Sequence, residues 1–115
     1  MTTIWHNPRC SKSRQTLKLL EDLGIAPEVR LYLTDPPDLA ELQGVARALG
    51  LGPADFIRRG EAAYKERGLG AQSSDAALFA AMVEVPKLIE RPIVIEGDRA
   101  ALGRPPEAVL SLFPG

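Results

Sequence analysis

The sequence predicts an α/β protein built on a mixed β-sheet. Three observations carry that expectation. The first third alternates strand, helix and strand patterning; the middle is helical in pattern with no β alternation; and a β-branched run near the carboxyl end is followed by a Gly-Asp turn and a second extended run. The resulting order is β-α-β, a helical insert, then β-β-α. At 115 residues the chain suits one compact domain over 1–115, with no second core expected.

Ile4 and Trp5 mark a first strand over 2–6, which Asn7 and Pro8 break. From 11 to 23 the positions Thr16, Leu19, Leu20 and Leu23 recur at helical spacing, and Gly24 supplies a stop, so a helix begins immediately after Cys10. Residues 29–33 alternate in the β manner. Strand, helix and strand in this order give a parallel pair. Next comes a helix capped by Thr34 or Asp35, with Leu39, Leu42, Val45, Ala46 and Leu49 as its buried stripe and Gly50 as its end. Stretches 53–58, 61–67 and 75–84 each read as helical, divided by Gly60, Gly68 and Gly70. Pro86 stops the last of them. Strand 92–96 then turns through Gly97 and Asp98 into strand 99–102, and 105–113 closes with a short helix.

Composition narrows the function classes. Net charge is −1 and no apolar run approaches the roughly 18 residues of a membrane helix, so neither a nucleic-acid surface nor a membrane span is expected. The amino terminus lacks the basic and apolar regions of a signal peptide, which implies residence in the cytoplasm. Ten Arg stand against four Lys, a bias toward the rigid donor fork that suits oxyanions. One Cys and one His exclude an internal disulfide and are too few for a structural zinc site, so no metal is expected.

Cys10 is therefore either an inert core thiol or a working one. The free amides and dipole at a helix N-terminus favour a thiolate, and the thiolate is the nucleophile. Arg9, Lys12 and Arg14 add positive charge, and Ser11 and Ser13 offer hydroxyls to a sulfur anion. Such surroundings are unlike a core, and we read Cys10 as reactive. His6, across the Asn7-Pro8 turn, is a candidate proton donor or cation toward it. Phosphatase-like loops need Arg six positions after the Cys, where this chain has Thr16.

The segment HNPRCSKSR over 6–14 resembles the active-site segment of the glutaredoxin-coupled arsenate reductases. LYLTDPPDLAEL, DFIRRGEAAYKERGL, ERPIVI and LGRPPEAVL resemble that family's other blocks, in order, across nearly the whole chain. The chain stops soon after Phe113, without the extension of longer members. The resemblance implies a thioredoxin-like fold and Cys10 as the catalytic residue, with Arg58, Arg91 and Arg104 binding the oxyanion and His6 and Ser13 supporting. It also implies a cis peptide bond between Arg91 and Pro92. The implied reaction begins with attack of the Cys10 thiolate on arsenate. Glutathione, a cosubstrate rather than a bound cofactor, then attacks the adduct, arsenite forms, and glutaredoxin removes glutathione from Cys10. With one Cys, the adduct needs such external thiols.

Two other readings stay open. One is a glutathione-dependent thiol reductase acting on another substrate. The other is a regulator like the Spx-type proteins, which bind RNA polymerase; their redox-sensing members carry a second Cys where this chain has Ser13.

Overall fold

β-Branched and aromatic residues in the stretch TTIW favour extended backbone, and they form the first strand, β1 (Thr2–Trp5). The computed structural model describes residues 1–113. Helix α1 (Ser11–Asp22) follows, and its end is a Schellman motif: Gly24, at φ +80°, donates to Glu21, and Ile25 donates to Leu20. The remaining strands are β2 (Glu28–Arg30), β3 (Ile93–Glu96) and β4 (Arg99–Leu102). They form a four-stranded mixed sheet in the order β2-β1-β3-β4, with β1 parallel to β2 and antiparallel to β3, and β3 antiparallel to β4. This is the thioredoxin-like α/β architecture that the resemblance implies.

The backbone clusters into two compact units, Met1–Asp35 with the chain from Arg91 onward, and Pro36–Glu90. The first holds the sheet and α1. Its core joins Ile4 of β1, Leu20 of α1 and Val94 of β3 to Val109 and Leu112 of a closing 3-10 segment, Pro106–Leu112. The expected final helix is thus a 3-10 helix. The second unit holds helices α2 (Leu39–Leu49), α3 (Ala62–Glu66) and α4 (Asp75–Glu84), with 3-10 turns at Pro53–Asp55 and Pro86–Leu88.

Three expectations are corrected. Strand β2 ends at Arg30 rather than at 33, because the Leu31 carbonyl accepts from the amides of Thr34 and Asp35 and from the Thr34 hydroxyl, which curls the chain into a turn. Helix α2 is capped by Asp38, not Thr34 or Asp35. Asp38 and Glu41 each accept from the other's backbone N–H, a capping box at 2.8 and 3.1 Å; Leu39, expected in the buried stripe, is exposed. Residues 53–58 are not one helix. After the 3-10 turn the chain pairs at Ile57 with Ile89, the Arg58 amide donating to Leu88 and the Glu90 amide to Phe56.

Within the first unit, Gly103 sets how closely three segments approach. A Cβ at this position would stand 2.5 Å from Thr16 Oγ1 of α1 and 2.6 Å from Cγ of Pro92, while the Gly103 amide donates to the Pro92 carbonyl at 2.9 Å. Gly103→Ala forces these segments apart and is expected to cost about 1–3 kcal/mol of unfolding free energy in a urea titration, as for other overpacked sites. Gly44→Ala, mid-helix in α2 with its nearest neighbour a side-chain atom at 3.8 Å, should stabilise by roughly 0.5–1 kcal/mol. Equal responses at the two positions would contradict this packing.

Candidate active site

The loop between β1 and α1 is fixed by its own sequence. The His6 amide donates to Arg30 at 2.8 Å, extending the β1–β2 ladder by one residue. Asn7 then organises the turn: its side-chain oxygen accepts from the Arg9 amide at 3.0 Å and its carbonyl accepts from the Cys10 amide at 3.0 Å. Asn before Pro suits such turns because the short amide can hydrogen-bond its own backbone two residues on. Arg14 reaches back from α1 to donate to the Pro8 carbonyl at 2.9 Å. Its charge was expected to serve the sulfur, and its geometry shows that it also clamps the loop.

Cys10 occupies the N-cap of α1 in extended conformation, at φ −94° and ψ 123°, and is partly buried. Its carbonyl receives the first intrahelical bond, from Arg14 at 3.0 Å. The amides of Ser11, Lys12 and Ser13 therefore have no intrahelical acceptor, and the first turn holds no acidic side chain. Positive potential accordingly gathers at this end of α1, as the sequence implies.

His6 and Ser13 pair with one another. Ser13 is fully buried, accepts the Asn7 amide at 3.0 Å and lies 2.7 Å from His6 Nδ1. The Ser13 oxygen takes the Asn7 amide on one lone pair and meets His6 Nδ1 with its proton or its remaining lone pair, according to the imidazole tautomer. Burial, and then the nearby Arg14 charge, hold His6 below the ordinary imidazole value of 6.5. Ser13, expected beside the sulfur, is bonded to His6 and Asn7, and the lowered pKa favours the neutral imidazole over the cationic form that the sequence allowed.

Arg91 and Arg104 stand on either side of the Pro92–Gly103 contact. Both Arg91–Pro92 and Arg104–Pro105 are cis, the first as the resemblance implies and the second unforeseen. An Arg104 guanidinium nitrogen donates to the Arg91 carbonyl at 3.2 Å. The two residues therefore belong to one backbone element, seated against α1 through Gly103 and Thr16.

Arg58 lies in the second unit, past the bridge at Ile57. Its guanidinium is bonded to Glu61 at 2.6 Å and lies 3.5 Å from Glu90. The sequence places it on a helix; the structure places it in irregular backbone with two carboxylates on its fork. Among the described residues no cluster of three or more His, Cys, Asp or Glu side chains is placed to hold a metal ion.

Sequence reasoning did not single out Gly103, and it took Asn7 only as a strand breaker. The Asn-Pro pair was a readable signal for the turn. Nothing local announces Gly103, whose constraint comes from Thr16 and Pro92, distant in sequence.

A thioredoxin-like α/β fold with its single cysteine at the N-terminus of the first helix defines the class of protein. The ArsC family model matches residues 5–112, and the chain belongs to the ArsC family. It is 51% identical over 111 residues to the uncharacterized protein YfgD of Escherichia coli (strain K12), covering 95% of this chain and 93% of that protein. An arsenate reductase of Haemophilus influenzae is 49% identical over 112 residues, covering 96% of this chain and 97% of the relative. Among solved structures, an arsenate reductase from Vibrio cholerae superposes with a TM-score of 0.94 at 53% identity, covering 97% of each chain.

The His6 arrangement has a pH consequence. Because the native state holds the imidazole below its ordinary value, the unfolded chain binds the proton first as pH falls below about 6.5. Native stability from this group is present above that value and declines below it, until the folded pKa is passed. With one His in the chain, an NMR titration of imidazole resonances reads His6 directly and should give a midpoint below that of free imidazole. A midpoint at or above the free value would contradict the buried, neutral assignment.

Proposed function

We propose that the chain reduces arsenate to arsenite, with Cys10 as nucleophile and glutathione and glutaredoxin as the source of electrons. The observation that carries the proposal is the placement of Cys10 at the bare N-terminus of α1, with the Arg91–Arg104 element seated against the same helix. Membership of the ArsC family and the names of relatives about 50% identical support it. Arsenate is a tetrahedral, doubly ionisable oxyanion, and guanidinium donors that keep their charge both bind it and stabilise charge in the displacement.

In this reading the Cys10 thiolate attacks arsenic, a sulfur–arsenic bond forms, and an arsenate oxygen leaves as water after protonation. Glutathione thiolate then attacks the Cys10 sulfur. The sulfur–arsenic bond breaks with its electron pair left on arsenic, so As(V) becomes As(III) and departs as arsenite. Cys10 is left as a mixed disulfide with glutathione, and a glutaredoxin thiol removes the glutathione. The chain's single cysteine requires this external route, and cytoplasmic residence suits a reaction drawing on glutathione. Arg58 enters as a third oxyanion donor on the family pattern, its fork held meanwhile by Glu61 and Glu90.

The test is arsenate-dependent NADPH oxidation coupled through glutathione, glutaredoxin and glutathione reductase. Cys10→Ser should abolish turnover with an unchanged circular dichroism spectrum, because a hydroxyl stays protonated near neutral pH. Arg91→Ala, Arg104→Ala and Arg58→Ala should each lower kcat/KM about tenfold or more, the loss of a charged hydrogen bond of roughly 1.5–3 kcal/mol. Arg59, bonded to the Ala54 carbonyl, and Arg67, paired with Glu84, are the controls. Controls that behave like the three candidates would refute the oxyanion assignment. Wild-type protein that reduces glutathione mixed disulfides but ignores arsenate would favour a thiol reductase of other substrate.

A further inference from the structure

Arg58 carries its charge between two carboxylates of its own unit. Its Nη1 donates to Glu61 at 2.6 Å, and its Nε lies 3.5 Å from Glu90. Among the described residues, Nη2 has no hydrogen-bond partner. The Arg58, Glu61 and Glu90 side chains are 24%, 29% and 25% exposed, against 74% and 59% for the Lys18–Asp22 pair on α1. Solvent therefore screens this trio less than it screens an open surface pair.

The carboxylates are not what holds the backbone here. The bridge of Ile57 to Ile89 is bracketed by the Arg58 amide donating to Leu88 at 2.7 Å and the Glu90 amide donating to Phe56 at 2.9 Å. The Glu61 amide in turn donates to the Arg58 carbonyl at 3.3 Å. Glu61 is the N-cap of α3, a position that offers free amides to a side-chain acceptor, yet its side chain makes no capping bond and goes to Arg58 instead. All three backbone positions are thus fixed by main-chain bonds, and the effect of the carboxylates falls on the guanidinium.

A guanidinium grips an oxyanion best with two parallel N–H bonds. The fork has two edges for this purpose, Nη2 with Nη1 and Nη2 with Nε. Each edge has a carboxylate at one of its prongs, Glu61 at Nη1 and Glu90 at Nε. Only Nη2 is left, which limits Arg58 to contact through a single nitrogen. Charge acts in the same direction, because two carboxylates outweigh one guanidinium and repel a dianion.

We propose that Glu61 and Glu90 form a clamp that restrains Arg58 from oxyanions, so that a two-nitrogen grip on arsenate requires a carboxylate to give way. Glu61, which makes the hydrogen bond, carries most of the effect. The inference rests on the reading of Arg58 as an oxyanion donor and adds the residues that set the affinity of that donor.

Calorimetric titration of the full chain with arsenate in the absence of glutathione, and separately with sulfate, tests it. Glu61→Gln and Glu61→Ala should each bind both anions about threefold more tightly than wild type, the size expected for removing a partly exposed charge. In the coupled arsenate assay Glu61→Gln should lower KM by the same factor with kcat within about twofold, a split that a general loss of structure would not give. In an Arg58→Ala background Glu61→Gln should leave anion affinity unchanged, because the carboxylate acts through the guanidinium. Unchanged or weaker binding in the Glu61 variants, tightening that survives in the Arg58→Ala background, or no anion binding by any of these proteins would overturn the clamp. Tighter anion binding in a chain that fails to reduce arsenate would keep the clamp and reject the reaction. Arsenate turnover with unaltered affinity in the Glu61 variants would do the reverse.

Discussion

One buried hydroxyl ties the candidate nucleophile to the sheet. Ser13 belongs to the first turn of α1, yet its oxygen receives the amide of Asn7 and is hydrogen-bonded to Nδ1 of His6, the residue directly after β1. Strand end, turn and helix start are thereby joined at one atom. A buried polar group left without its partner costs about 1–3 kcal/mol, so Ser13 cannot withdraw from either contact cheaply. With the loop held in this way, Cys10 has little freedom but to take the N-cap, at the helix end whose first amides have no intrahelical acceptor. Burial and the Arg14 charge favour the neutral imidazole, so positive charge near the cysteine comes from the helix terminus and from arginine and lysine rather than from His6.

The second constraint is steric. Gly103, directly after β4, removes a side chain where its segment meets α1 and Pro92, and the two arginines adjoin that contact in sequence. Their common frame is the backbone: Arg104 bonds to the carbonyl of Arg91, and Gly103 to the carbonyl of Pro92. Two arginines carried on separate loops would need each loop ordered independently. Here one ordering event fixes both, because the hairpin of β3 and β4 returns the chain to the place where it began.

Much of this was legible in the sequence because its signals are local. Gly24 and Gly50 end helices, the Gly97-Asp98 pair turns a hairpin, and the apolar spacing of α1 sets its face, so element order and sheet type followed from patterning alone. Cys10 at the helix start was equally plain. What was misread depends on competition between local bonds and longer patterns. The alternation of Val29, Leu31 and Leu33 is real, but Thr34 and Asp35 take the Leu31 carbonyl for a turn. Asp38 outcompetes Thr34 and Asp35 as a cap because Glu41 answers it from three residues on. The bond of Ser13 to His6 was not foreseen, because it became visible only once strand and helix were packed together. Arg58 could not be placed from periodicity, because its backbone is held by pairing with a distant segment.

The early end of β2 bears on self-association. This strand terminates the sheet at one side, and a terminal strand offers its unpaired amides and carbonyls to any other chain. Had the alternation of Val29, Leu31 and Leu33 continued as strand, the protein would present a five-residue apolar ribbon ready to pair with another molecule. The Leu31 turn cuts the ribbon to three residues, Glu28–Arg30, two of them charged. Short charged edges of this kind are how β-sheet proteins avoid edge-to-edge aggregation, and here the protection comes from a carbonyl and the Thr34 and Asp35 groups that capture it.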